Sequence, residues 1–145
     1  MKRGVKIGLI CGAILVVVIG IGIFIYFNFF AKDTYQLVGV EITDFEVADF
    51  TDDTEIKFYK NNTFHIHIEH KDLGLSLTAI GTYTLENKTY HLEFTQAYSR
   101  NVYNEIENIT SALNDENSDL PKISCTRSGN RIKFIDHKSQ IYYFG

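Results

Sequence analysis

The stretch from residue 55 to residue 69, EIKFYKNNTFHIHIE, decides the fold class. Apolar and polar residues alternate on both sides of Asn61-Asn62, and such asparagine-rich dipeptides favour the tight turns that join antiparallel strands. Side chains alternate between the two faces of a strand, so the second arm places Phe64, Ile66 and Ile68 on one face and His65, His67 and Glu69 on the other. The stretch therefore predicts a β-hairpin with one face in a core.

Further strands are predicted on both sides of this hairpin, over Tyr35–Ile42, Leu75–Leu85, Thr89–Ala97, Ile123–Arg127, Arg131–Ile135 and Gln140–Phe144. Between Asn101 and Asn114 the apolar residues recur at helical spacing, which predicts one inserted α-helix. The fold class is thus mainly β, a small antiparallel barrel or sandwich. The predicted core includes Phe64, Ile66, Leu92, Phe94, Ile132 and Phe134.

The N-terminal part of the chain is of a different kind. Residues 7–31, IGLICGAILVVVIGIGIFIYFNFFA, form 25 consecutive residues without a charge. As a helix they would extend about 38 Å, more than the ~30 Å hydrocarbon core of a bilayer. The run predicts a transmembrane helix over 7–31 that follows a cytoplasmic segment 1–6 and precedes a single extracytoplasmic domain over 32–145.

The orientation of this span follows from its flanking charges. Lys2, Arg3 and Lys6 precede the run, whereas Lys32 alone follows it beside Asp33, so the positive-inside rule places the N-terminus in the cytoplasm. The alternative is a cleaved signal peptide, which the length of the run disfavours. The sequence thus predicts a single-pass protein of the cell membrane. Its small residues Gly4, Gly8, Gly12 and Gly20 share one helical face, on which the chain would pack against itself or another membrane protein.

The charge of the domain limits its partners. Residues 33–145 contain all 18 acidic residues but only ten of the 14 basic ones, a formal charge of −8. This balance disfavours a nucleic-acid surface and disfavours docking on anionic lipid head groups. Acids are concentrated in 33–55 and bases in 122–138, and we expect these segments to lie side by side. Cys125 has no partner for a disulfide within the domain and is expected to be a small buried side chain.

Several segments resemble bacterial lipocalin-like domains, over about residues 35–145. The resemblance lies in residues 56–64 (IKFYKNNTF), 81–88 (GTYTLENK) and 92–94 (LEF), and in the closing segments 132–136 (IKFID) and 142–144 (YYF). The asparagine pair replaces the usual Asp-Gly turn, and the usual tryptophan of the first strand is missing. The resemblance implies a lipocalin-like fold and no fixed chemistry, because ligand preference depends on individual sites.

One set of residues has the composition of a metal site. His65, His67 and Glu69 share a strand face, and His-x-His on a strand offers two nitrogen ligands to zinc. His91 occupies the equivalent polar-facing position on a later strand and would complete the set if the two strands came close. The alternative is a solvated polar face of an antiparallel sheet, on which micromolar zinc would have no effect.

The sequence predicts no enzyme and no cofactor, because it contains neither a nucleophile elbow nor a phosphate-binding glycine loop. The principal hypothesis is a membrane-anchored, non-catalytic binding or interaction module. The alternatives are a metal-binding accessory protein and a structural protein of the envelope. A hollow apolar interior would favour a small apolar ligand, and a filled interior would favour contact with a protein.

Overall fold

The computed structural model describes residues 31–145. The predicted segment 1–6 and the predicted transmembrane helix 7–31, apart from Ala31, lie outside the described residues. Within 31–145 none of the helices has the length and hydropathy needed to span a membrane. The described residues thus cover the predicted domain 32–145.

The domain contains nine strands, one short α-helix and one 3-10 helix. The strands are β1 (Ala31–Glu41), β2 (Glu55–Tyr59), β3 (Thr63–Glu69), β4 (Ser76–Glu86), β5 (Thr89–Arg100), β6 (Ile106–Asn108), β7 (Ser124–Ser128), β8 (Arg131–Ile135) and β9 (Ile141–Phe144). The 3-10 helix is Val47–Asp49, and the α-helix, α1, is Thr110–Asn114. The predicted strands are all present, with bounds that differ by at most four residues.

Eight of the strands close an antiparallel barrel. Strands β1 to β5 pair each with the next, β5 pairs with β7, and β7, β8 and β9 continue to β1. Strand β6 pairs only with the last residues of β5, so it lies outside the ring. We call the end of the barrel at which β1 begins the basal end; it includes the β2–β3, β4–β5 and β7–β8 turns. The apical end includes the β1–β2 and β3–β4 connections, the β5–β6 hairpin and the β8–β9 turn.

The β5–β7 seam is closed largely by side chains. Only Thr89 of β5 pairs with a residue of β7, Thr126. Above that pair α1 lies along β5, where the Asn114 side chain accepts a hydrogen bond from the Phe94 N–H (3.0 Å) and donates one to the Phe94 carbonyl (2.7 Å). The Thr110 hydroxyl accepts a hydrogen bond from the Ala97 N–H (2.8 Å). An amide and a hydroxyl thus satisfy backbone groups that β7 does not reach.

Alternate residues of the strands fill the barrel interior. The predicted direction of Phe64, Ile66 and Ile68 is confirmed, since all three are buried. Aromatic and aliphatic side chains meet along the axis, and the most buried large ones are Phe58, Phe64, Phe134, Phe144, Ile56, Ile66 and Ile132. Leu92 differs from the prediction because it is only half-buried. Cys125 is buried as predicted, and burial raises the pKa of its thiol to about 12.

The prediction of a helix over Asn101–Asn114 is wrong for most of its length. Only Thr110–Asn114 is α-helical, and the preceding residues form the β5–β6 hairpin. Ile109 and Leu113, one helical turn apart, are buried, whereas Val102 and Ile106 are exposed. The hairpin forms because the Asn101 carboxamide accepts hydrogen bonds from the N–H groups of Tyr103 and Glu105 (both 3.0 Å), which turns the chain back.

Candidate metal-binding site on the outer face of the barrel

Strand β3 presents the predicted histidines on the outside of the barrel. Its neighbours β2 and β4 place Glu55 and Thr78 on either side of His67. The interior face is apolar, so the alternation of β3 leaves its polar residues half-buried between these two strands.

Two of the four predicted ligands come together with a residue that the prediction did not include. His67 Nε2 lies 3.3 Å from Glu69 Oε2 and 3.7 Å from Asp53 Oδ2. One ligand atom from each of the three residues lies within 4.8 Å of the others. Ligands about 2.1 Å from a tetrahedral zinc ion are about 3.4 Å apart, so both distances from His67 are close to those of a zinc site. Asp53, His67 and Glu69 form what we call the outer trio.

The trio is positioned by hydrogen bonds to its members. His67 Nδ1 lies 2.9 Å from the Thr78 hydroxyl. With its proton on Nδ1 and donated to Thr78, the ring presents the Nε2 lone pair to the two carboxylates, which is the tautomer that a metal requires. The buried Thr54 hydroxyl accepts a hydrogen bond from the Glu69 N–H (3.1 Å) and so fastens the loop that contains Asp53 to β3.

The electrostatics of the trio favour an ionised Asp53. The Thr51 hydroxyl donates a hydrogen bond to Asp53 Oδ1, and this contact is the main cause that lowers the pKa of Asp53; slight burial opposes it, and the neighbouring His67 lowers the pKa further. The side chain of Asp53 is 70% exposed, against 21% for His67 and 32% for Glu69. The three residues thus offer one imidazole and two carboxylates to a cation from solvent.

The other two predicted ligands lie elsewhere. His65 is beside Lys57 and Ile80 in the sheet, and its pKa is lowered, first by burial and then by the charges of His67 and Lys57. His91 lies on β5, which β4 separates from β3, and its Nε2 is 3.8 Å from Glu86 Oε2. The trio contains neither residue.

Comparison of the chain with protein-family models, with curated proteins and with solved structures found no match.

A second group of polar residues, not anticipated from the sequence, is buried at the apical end. Asp136 accepts hydrogen bonds from the N–H groups of Lys138 and Gln140 (both 2.9 Å) and from the Tyr142 hydroxyl (3.2 Å), which closes the β8–β9 turn. His70 Nδ1 accepts hydrogen bonds from two N–H groups of the β3–β4 turn. Burial lowers the pKa of His137 and raises that of Tyr142. The cavity beside these residues measures about 30 Å³. Asp136 and His70 thus stabilise turns, whereas Nδ1 of the buried His137 has no hydrogen-bond partner among the residues that the structure describes.

Proposed function

We propose that the chain is a single-pass membrane protein that presents a lipocalin-like, non-catalytic barrel outside the cytoplasm as a protein-interaction module. The observation that carries this proposal is the filled interior. Phenylalanine and isoleucine side chains occupy the barrel axis, and the cavity beside them at the apical end measures about 30 Å³, against the ~300 Å³ of small-molecule pockets. The larger depressions, of about 320–550 Å³, are lined in part by exposed residues of the outer surface. A filled barrel leaves its outer surface for recognition.

The β5–β6 hairpin is the part of that surface best suited to a protein partner. Its apolar side chains are unusually exposed: Tyr103 by 80%, Ile106 by 63% and Val102 by 51%. The tip is held by Asn101, whose side chain bonds to the backbone of Tyr103 and Glu105 and to the Glu105 carboxylate (3.1 Å). Such a fixed apolar tip loses little conformational entropy on binding, which favours association with an apolar site on another protein.

Site-specific photocrosslinking in cells that make the protein tests this proposal. With a photoreactive phenylalanine analogue in place of Tyr103, we expect one discrete protein adduct, because the tip is the contact. The adduct should be lost when Val102→Ser and Ile106→Ser are added. The matched control carries the analogue at Leu85, an exposed apolar residue of the basal end, and should give no such adduct.

Protease treatment of the same cells tests the location. Protease added before lysis should remove the adduct, because the domain after Lys32 lies outside. A protected adduct would contradict the orientation. The absence of a discrete adduct at Tyr103, or an equal one at Leu85, would contradict the interaction module.

The outer trio supports a second candidate function, that of a metal-binding accessory protein. The specific observation in its favour is that one imidazole and two carboxylates offer ligand atoms within 4.8 Å of one another. We expect zinc at about ten times its dissociation constant to raise the unfolding free energy of the full chain by about 1.4 kcal/mol. His67→Ala and Asp53→Asn should each abolish this increase, measured as a shift of the thermal midpoint in detergent.

The predicted ligands outside the trio provide the matched controls. His65→Ala and His91→Ala should keep the zinc-dependent shift, because neither residue belongs to the trio. The shift should weaken as the pH falls, since zinc requires a neutral imidazole. An unchanged midpoint with zinc, or a shift that His91→Ala removes, would rule out a site at the trio.

A further inference from the structure

The charges of the domain are separated along the barrel axis. At the apical end eight exposed acids face two exposed lysines, Lys71 and Lys138; the acids are Glu41, Asp44, Glu46, Asp52, Asp53, Asp72, Glu105 and Glu107. At the basal end the exposed bases are Lys60, Lys88, Arg127 and Arg131, and the exposed acids are Asp33 and Glu86. Four further exposed acids, Glu93, Asp115, Glu116 and Asp119, belong to β5 and to the segment after α1. The basal end is thus where exposed bases outnumber exposed acids in a domain with a charge of −8.

The segments of opposite charge do not neutralise each other by direct pairing. Strand β1, which begins the acidic segment, does lie beside β9. Ion pairs form between Lys57 and Glu55 and between histidines and nearby carboxylates, and none of these joins the two segments. The acidic loops lie at the apical end and Arg127 and Arg131 at the basal end, so the barrel keeps the two kinds of charge apart.

The basal end also has a concave amphipathic surface. A depression of about 350 Å³ there is lined by Tyr83, Tyr90, Leu85 and Arg127, with Asp33 as its acidic residue. Leu85 is 46% exposed. The Tyr90 ring is buried, and the Tyr83 hydroxyl donates a hydrogen bond to the Tyr59 carbonyl. Leu85 and Arg127 are therefore the apolar and basic side chains that this depression presents to solvent.

The position of the basal end in the chain identifies what it faces. Strand β1 begins at Ala31, the last residue of the apolar run, and Ala31 pairs with Tyr59, the residue before Lys60. At about 3.3 Å per residue of strand, Asp33 is about 7 Å from the end of that run. This distance is within the Debye length of about 8 Å at physiological salt, so a charge near the start of β1 is not screened from a surface at Ala31.

We propose that the basal end docks on the anionic lipid head groups of the bilayer that holds the anchor, with the apical hairpin directed away from the membrane. This inference rests on the anchor in the proposed function. Lys88 of the β4–β5 turn, Arg131 at the start of β8 and Arg127 at the depression contact the lipid phosphates. The acidic apical end is repelled from the same surface. The barrel thus has a fixed orientation that presents the hairpin to a partner.

Energy transfer to a head-group acceptor in vesicles measures this orientation with the full chain. A donor is attached at Asn130→Cys in the basal β7–β8 turn or at Tyr103→Cys in the apical hairpin, with Cys11→Ser as background; the buried Cys125 does not react. We expect transfer from position 130 to be higher in phosphatidylglycerol-containing vesicles than in phosphatidylcholine alone, and transfer from position 103 to be lower. The difference should vanish between about 0.01 M and about 1 M salt, as the Debye length falls from about 30 Å to about 3 Å.

Charge reversal provides the decisive variants. Lys88→Glu with Arg131→Glu should remove the lipid dependence, and Lys71→Glu with Lys138→Glu, at the apical end, should preserve it; thermal midpoints verify that each variant is folded. Flotation of the vesicles shows whether the chain is held in the bilayer. If the chain floats with both kinds of vesicle but energy transfer is equal in both, the docking is overturned and the anchor is not. A chain that floats with neither would overturn both. Lipid dependence that survives Lys88→Glu with Arg131→Glu would also overturn the docking.

Discussion

Replacing Gly81 with alanine is expected to destabilise the barrel by about 3 kcal/mol or more, because there is no space for a methyl group. A Cβ atom at this position would lie 1.9 Å from the Glu93 carbonyl oxygen and 2.9 Å from Cε1 of Phe64. The carbonyl belongs to the neighbouring strand β5 and cannot withdraw without separating β4 from β5. The midpoint of thermal or urea unfolding of the full chain in detergent measures the effect.

The close approach at Gly81 follows from a bulge between the two strands. Ile80 pairs with Gln96 and Gly81 with Phe94, so Thr95 has no partner in β4. A glycine at such a site lets the backbones approach. Gly39→Ala is the matched control, because its Cβ would meet Tyr143 at an ordinary 3.5 Å. Equal midpoints for Gly81→Ala and the unmodified chain would show that the bulge is not as described.

Truncation of Phe64 or Phe94 to alanine is expected to cost about 3–5 kcal/mol each. Their side chains are 1% and 6% exposed, and their rings meet edge to face with centroids 5.5 Å apart. Each truncation removes buried area and leaves a cavity between β3 and β5. Because the two rings contact each other, the double variant should lose about 0.5–1.5 kcal/mol less than the sum of the single ones. Chemical unfolding of the four chains gives these differences.

Leu92→Ala is the control for this series. Leu92 lies on the same strand as Phe94 but is half-buried, so its truncation should cost less than either phenylalanine. If Phe64→Ala and Phe94→Ala both left the midpoint unchanged, the inward face assigned to β3 and β5 would be wrong.

The strands could be predicted because their alternation reflects a physical division between a filled interior and a wet exterior. Strands β2, β3 and β8 have the predicted bounds for this reason. The helix prediction failed because periodicity does not distinguish a long helix from a hairpin followed by one helical turn. The hairpin is stabilised by the hydrogen bonds of the Asn101 side chain and by the left-handed backbone of Asn104 (φ 62°). Neither feature changes the spacing of the apolar residues.

The candidate site was predictable in part. His67 and Glu69 are two residues apart on β3 and therefore lie on the same face. Glu55 pairs with His67, and continuing this register by two residues places Asp53 opposite Glu69. The observed loop has three residues, 60–62, with Asn62 left-handed (φ 63°), whereas a two-residue Asn61-Asn62 turn would shift the pairing by one residue. The asparagine pair alone therefore does not give the register that places Asp53. His91 lies apart from the trio, because β4 lies between its strand and β3. Sequential strands usually pair, and that rule alone separates them.

The pairing of β1 with β9 has a consequence for the kinetics of folding. The Tyr143 hydroxyl donates a hydrogen bond to Glu41, 102 residues earlier, and Leu37 pairs with Phe144. At about 5–20 residues per second of synthesis, β1 waits on the order of 5–20 s for this neighbour. The β1–β5 meander can form meanwhile, but one edge of β1 stays open to pairing with other chains. Contacts of such high sequence separation also slow closure. The risk of misassembly is therefore greatest in the interval between the synthesis of β1 and that of β9.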